Sequence, residues 1–211
     1  LIKFLSEIKI LDPACGSGAF PMGMLHQIVH ALSKLDPGNK RWEHEQLELL
    51  LKPKTDDLMI AGKISSENAR AEAIKQLNSE IEDIKETFRK NDPDYTRKLY
   101  LIQNCIFGVD IDSEAVEVAK MSLSLKVIDV PDYPEYYGEI GIFGIHILSG
   151  VGNNLRCGNS LVSNDIIEIF PALVENDDEL LKTNPFNWSS GNGFPLVFGL
   201  KSGFDYIIGN P

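Results

Sequence analysis

Residues 8–35 set an apolar run, a glycine turn and an amphipathic helix in immediate succession, and few folds accept that order. Ile8-Lys9-Ile10-Leu11 is closed by Asp12-Pro13, where proline lacks the N–H that further strand pairing needs. Gly16 and Gly18, within Asp12-Pro13-Ala14-Cys15-Gly16-Ser17-Gly18, let the chain turn and let a ligand approach the backbone unhindered. From Ala19 to Leu35 the apolar residues Met24, Leu25, Ile28, Val29 and Leu32 recur at helical spacing. Pro21 falls in the first turn, where amide hydrogens have no helical partner to lose. Strand, glycine turn and helix form the first half of a nucleotide-binding βαβ unit. The expectation is an α/β fold whose ligands lie at the carboxyl ends of parallel strands.

The return strand is delayed by a charged, helix-rich stretch between Asp36 and Tyr100. Within it Ile74, Leu77, Ile81, Ile84 and Phe88 follow spacings of three and four, the pattern of a short coiled-coil seam. A helical hairpin packed on the domain accounts for it, with Trp42, Leu49, Leu50, Tyr95, Leu99 and Ile102 available to partner helices; a dimerisation arm is the alternative. The second strand is expected at Cys105-Ile106-Phe107-Gly108-Val109-Asp110. A helix then follows over Ala115–Ile128, capped by Asp112 or Ser113. Residues 131–154 and 184–203 are expected as loops, Leu155-Arg156-Cys157 as a third short strand and Phe204–Ile208 as a last one. The division predicted is a core made of 1–35 and 105–211, interrupted by a helical insertion over 36–104.

With 43% hydrophobic and 24% charged residues in 211, the composition is that of a soluble globular domain. The apolar runs are short and broken by charges, so neither a membrane span nor a signal peptide is expected, and the cytoplasm is the expected compartment. Cys15, Cys105 and Cys157 are few, odd in number and widely spaced, as reduced thiols are. His26 and His30 share a helical face but lack the carboxylates of a metal site, so no metal is expected. The formal net charge of −11 opposes nucleic-acid binding by these residues alone, because phosphate neutralisation requires a basic patch.

Four positions suit chemistry. Asp12, acceptor-only when ionised, suits a cationic group such as an ammonium, and Gly-x-Gly followed by proline at position 21 argues against a dinucleotide. Asp110, at the end of the second strand, can accept both hydroxyls of a ribose, with Ile111 covering an adenine face; a helix-capping acid is the alternative. Asn159, after the third strand, can donate and accept toward an adenine edge, or serve as an ordinary Gly-Asn turn residue. Asn210-Pro211 offers two carbonyl acceptors on a stiffened loop, a means of orienting an exocyclic amine; it is also a common turn dipeptide.

Taken in order, Asp12-Pro13-Ala14-Cys15-Gly16-Ser17-Gly18-Ala19-Phe20, Gly108-Val109-Asp110-Ile111-Asp112, Gly158-Asn159-Ser160-Leu161, Asn184-Pro185-Phe186-Asn187-Trp188 and Gly203-Phe204-Asp205-Tyr206-Ile207-Ile208-Gly209-Asn210-Pro211 resemble the gamma-type adenine-N6 DNA methyltransferases. The resemblance is greatest to the methylase part of fused type IIG-like restriction–modification enzymes. It implies a partial Rossmann-like S-adenosylmethionine-dependent core, carrying the N-terminal strands and a helical insertion. It also implies methyl transfer from S-adenosylmethionine to adenine N6 in DNA. Asp12, Ala14, Gly16 and Gly18 would then hold the methionine end of the cofactor, Asp110 and Ile111 the ribose and adenine, and Asn159 the adenine. Asn159 stands where many amino-methyltransferases carry Asp. Asn210 and Pro211 map onto the catalytic Asn-Pro-Pro-Tyr loop, which the sequence enters but does not complete.

From that resemblance the 211 residues are expected to form an inactive piece of a larger enzyme, with DNA bound by parts outside them. Self-association is expected through an exposed sheet edge or through the helical insertion. Methylation of RNA or of protein glutamine, and a cofactor-binding module without catalysis, are the competing readings.

Overall fold

Along β1 (Ile10–Asp12) successive side chains point to opposite faces of the sheet, and the two apolar ones enter different cores. Ile10 joins a cluster with Leu25, Ile28, Leu32, Leu99, Ile102, Ile106, Val116, Leu123 and Leu155. Leu11 joins Phe107, Val109, Phe186, Phe194 and Val197 on the other face. In this computed structural model, which describes residues 1–90, 93–128, 153–171, 177–189, 191–201 and 203–210, that alternation organises the molecule into layers.

β1 pairs in parallel with β2 (Ile106–Asp110), and β2 with β3 (Leu155–Cys157). β4 (Tyr206–Ile207) pairs in parallel with the other side of β1, giving the order β3-β2-β1-β4. The chain therefore steps outward from β1 through β2 to β3 and then returns to the opposite side of β1. In open parallel sheets such a reversal marks the ligand-binding crevice, here at the carboxyl ends of β1 and β4.

Helices α1 (Ile2–Glu7), α2 (Ala19–Leu35) and α6 (Ser113–Ile128) bury one sheet face. The α2 helix has the bounds expected from its periodicity, and Leu25, Ile28 and Leu32 form its buried stripe. In α6, Val116, Ala119, Leu123 and Val127 are buried as expected. Asp112 caps that helix, its Oδ1 accepting the Glu114 N–H at 2.9 Å.

Among the described residues the delayed return between α2 and β2 contains a short 3-10 turn at Pro37–Asn39 and three α-helices. α3 (Lys40–Ala61) and α4 (Glu67–Lys90) form the hairpin expected from the seam, with Ile81 and Phe88 buried and Ile74, Leu77 and Ile84 half-buried. α5 (Pro93–Cys105) packs instead into the first core through Tyr95, Leu99, Leu101, Ile102 and Cys105. The root of the hairpin is fixed by Asp36, whose two oxygens accept the Arg41 and Trp42 N–H groups at 3.1 Å each. Arg97 of α5 lies 3.8 Å from Asp36, and both are buried with Trp42.

The stretch 184–203, expected as loop, is the largest departure. Phe186, Trp188, Phe194 and Phe198 gather with Phe204 over Leu11, Phe107 and Val109, and Pro195–Lys201 is helical. Edge-on ring pairs such as Phe107–Phe194 at 5.3 Å and Phe186–Trp188 at 4.9 Å build this layer. Burial of the second sheet face supplies the order that the sequence periodicity lacks. Of residues 131–154, also expected as loop, all but Asn153 and Asn154 lie outside the described residues. Among the described residues no helix is long and apolar enough to cross a membrane.

Candidate functional site

The expected site residues stand at consecutive strand ends of one sheet. Asp12 ends β1, Asp110 ends β2, Asn159 follows β3 by two residues, and Asn210 follows β4 by three. The sheet order sets Asp12 between the Asp110 side and the Asn210 side. Pro211, expected beside Asn210, lies outside the described residues.

Asp12 is 1% exposed. Its Oδ1 accepts the Ala14 N–H at 3.1 Å, while Oδ2 is buried without a hydrogen-bond partner among the described residues. Burial raises its pKa above the ordinary carboxylate value, and the nearby charge of Asp110 pushes the same way, against the Ala14 hydrogen bond. A buried carboxylate oxygen without a donor is unfavourable, and a cationic donor would relieve it.

The glycine loop is pinned to β2. Cys15 N–H donates to the Val109 carbonyl at 2.9 Å, Gly18 N–H donates to the Cys15 carbonyl at 2.8 Å, and Gly16 N–H donates to Asp110 Oδ2 at 2.7 Å. Gly18, at φ 91°, lies so close to α6 that an added Cβ would meet Ala119 Cβ at 3.0 Å. Gly16, at φ 50°, faces open space. One glycine is needed for close packing, whereas the other leaves room over the loop. Behind the loop the buried Cys15 thiol is pushed up to about 12, by burial first and then by Asp110 and Asp12, so it remains a thiol at neutral pH.

Asp110 does more than the sequence suggests. Besides Gly16, it accepts the Asp112 N–H through Oδ1 at 3.0 Å. Each carboxylate oxygen retains a second lone pair, so the same side chain can hold the loop and accept a ligand hydroxyl. Ile111, next in the chain, is 52% exposed.

Asn159 closes a turn through its side chain, Oδ1 accepting the Leu161 N–H at 3.1 Å. Its backbone N–H donates to the Asn184 carbonyl at 2.7 Å, in a parallel bridge to Pro185. An added Cβ at Gly158 would meet Phe186 at 2.5 Å, so the turn rests directly on the aromatic layer. The Asn159 amide N–H groups remain the donors it can offer a ligand.

Two rim features were not singled out from the sequence. Leu161 is 91% exposed in the turn after Asn159, and Phe20 is 49% exposed just past the glycine loop. Both occur inside the quoted motifs, which was the available signal. A third, Gly209, becomes visible only with β4 beside β1.

A cavity of about 600 Å³ opens elsewhere, at the amino ends of the strands, between Lys9, Phe107 and Arg156 and the Phe194–Val197 segment. It contains none of the strand-end residues. Among the described residues no cluster of three or more His, Cys, Asp or Glu side chains could hold a metal ion.

Residues 104–211 match the family described as Eco57I restriction-modification methylase. The chain belongs to this family. The matched part includes Asp110, Asn159 and Asn210, and the Asp12 loop precedes it. A protein of Methanocaldococcus jannaschii named "Putative type II restriction enzyme and methyltransferase" is 36% identical over 159 residues, which is 75% of this chain and 9% of that protein. No solved structure matches the chain significantly.

Proposed function

We propose that the protein containing this chain transfers the methyl group of S-adenosylmethionine to the N6 amine of adenine in DNA, within a restriction–modification system. The observation that carries the reading is the row of Asp12, Asp110, Asn159 and Asn210 at the carboxyl ends of four neighbouring parallel strands, spanning the reversal of strand order between β1 and β4. Family membership supports methylase chemistry.

The residues present suit this cofactor. The orphaned Asp12 Oδ2 is a buried acceptor awaiting a cationic donor, as the ammonium of a methionine moiety is. Gly16 leaves open space above the loop. Asp110 would accept ribose hydroxyls, and Ile111 and Asn159 would flank and read an adenine ring. Bound there, S-adenosylmethionine supplies an electrophilic methyl group.

The protein's contribution is positioning. The Asn210 side-chain carbonyl, with a neighbouring main-chain carbonyl, would accept the two N–H groups of an exocyclic amine. That orients the nitrogen lone pair toward the cofactor crevice and excludes the ring nitrogens. Once methylated, the nitrogen would carry a formal positive charge and one proton too many, and the carbonyl acceptors would stabilise that charge until the proton leaves to solvent. A base inside a duplex cannot reach such a loop, so the target base would be flipped out of the stack.

The test is to incubate the full-length protein with S-adenosylmethionine and, in parallel, unmethylated duplex DNA, RNA or protein, then to identify the methylated product by mass spectrometry of digests and to locate it in the DNA by modification-sensitive sequencing. N6-methyldeoxyadenosine at one recurrent sequence is expected. Methyl incorporation into RNA or glutamine instead, or into no substrate, would overturn the proposal.

A further inference from the structure

We propose that Gly209 is a positioning residue for methyl transfer, because its bare Cα sets how closely the Asn210 loop approaches the Asp12 loop. The inference rests on the function proposed above and assigns a role to a residue outside the cofactor and target-amine sets.

The sheet brings the two loops together. Ile208 N–H donates to the Leu11 carbonyl at 2.9 Å, so the chain leaving β4 remains bonded to β1 up to the residue before Asp12. Gly209 comes next and passes directly over the Asp12 carboxylate. A Cβ on Gly209 would stand 2.7 Å from Asp12 Oδ1, 3.5 Å from Asp12 Cγ and 3.7 Å from Pro13 Cδ. The obstructing atom is not the tip of a flexible chain. Asp12 is 1% exposed, and its Oδ1 is held by Ala14 N–H at 3.1 Å. The backbone adds its own restriction, since Gly209 has φ 150°, a conformation that side-chain-bearing residues rarely adopt.

Ordinary contact begins at 3.4 Å, so a methyl group at 209 forces the loops about 0.7 Å apart or rotates the loop backbone. Asn210 is the next residue and would move with it. Asp12 is on the cofactor side of the crevice and Asn210 on the target side, so the displacement acts along the line between the reactants. Misplacement on the order of 1 Å reduces a positioned reaction about 10²-fold. Asp12 is held by burial and by the Ala14 N–H, so the Asn210 loop yields rather than Asp12, and the cofactor contacts proposed for Asp12, Gly16, Asp110 and Asn159 should be little affected.

The experiment compares full-length Gly209→Ala with the parent enzyme in single turnovers at saturating S-adenosylmethionine and DNA, alongside calorimetric cofactor binding. The rate constant of a single turnover is independent of the folded fraction, which appears in the amplitude. The expected result is a rate constant lowered roughly 10- to 100-fold with cofactor Kd changed less than threefold. A rate constant within threefold of the parent, a loss confined to amplitude, or a loss explained by cofactor affinity would each overturn the inference. A measurement on the unmutated enzyme covers a variant that does not fold: in a crystal structure with bound cofactor, Gly209 Cα should remain in van der Waals contact with the Asp12 carboxylate, and separation of the loops by more than about 1 Å would refute it. Failure of the parent to methylate DNA would sink the function proposed above instead.

Discussion

Replacing Asp110 tests whether one carboxylate both builds the cofactor loop and serves the cofactor. Its oxygens accept Gly16 N–H at 2.7 Å and Asp112 N–H at 3.0 Å. Hydrogen bonds to a charged group contribute about 1.5–3 kcal/mol each. Asp110 is half-buried, so water can recover part of each bond and the lower figure applies, about 3 kcal/mol for the pair. Asp110→Ala releases both anchors, and bound cofactor must then re-order the loop itself. At about 1.4 kcal/mol per tenfold, Kd for S-adenosylmethionine should rise about 100-fold, and further if the ribose also loses its acceptor. Asp110→Asn keeps one carbonyl oxygen but turns an N–H toward the other amide, so about half the energy and roughly a tenfold loss are expected. Calorimetry on the full-length protein reads both values, with circular dichroism to show that the variants fold. An alanine variant that binds within threefold of the parent would refute the reasoning.

Two more expectations follow from the same geometry. Phe186→Ala removes a fully buried ring from beneath the Gly158–Asn159 turn and should destabilise the domain by about 3–5 kcal/mol, seen as a lowered midpoint in thermal or urea unfolding; a change below about 1 kcal/mol would mean that the aromatic layer is not a core. Cofactor binding should also depend on pH through Asp12. Its pKa is raised above 3.8, so unliganded native protein gains stability as pH falls through that raised value toward 3.8, where the unfolded chain protonates as well. A cationic ligand selects the ionised form, so its affinity should fall over the same window, with proton release on binding. Asp110→Asn removes a like charge and should move this loss to lower pH. Affinity that is flat or rising as pH is lowered would contradict the assignment.

Local chemistry accounts for what could be read from the sequence. The α2 helix carries its buried stripe in its own periodicity, and Asp112 caps α6 through amides two and three residues away. Strand ends differ from expectation by one or two residues, because pairing rather than sequence sets them: β1 begins at Ile10, not Ile8, and β4 spans only Tyr206–Ile207. The aromatic layer escaped notice because Phe186, Trp188, Phe194, Phe198 and Phe204 follow neither a helical nor a strand period. Their order comes from the sheet face they cover.

The site divides the same way. Strand-end acids and asparagines were visible as motifs, each adjacent to its own strand. Contacts between motifs were not, because they depend on which strands are neighbours. Asp110 grips Gly16 across 94 positions, and Gly209 meets Asp12 only because β4 returns beside β1. Asn159 retains both of its sequence readings, since its side-chain carbonyl closes a turn and its amide hydrogens are the donors it can offer a ligand.

The most direct measurement of the central claim is a crystal structure of the full-length protein with bound S-adenosylmethionine. The account predicts the ammonium within hydrogen-bonding distance of Asp12 Oδ2, the ribose hydroxyls at Asp110, the adenine between Ile111 and Asn159, and the sulfonium methyl facing Asn210. Cofactor bound elsewhere, for example in the cavity at the amino ends of the strands, or bound here with Asp12 Oδ2 still lacking a donor, would contradict it.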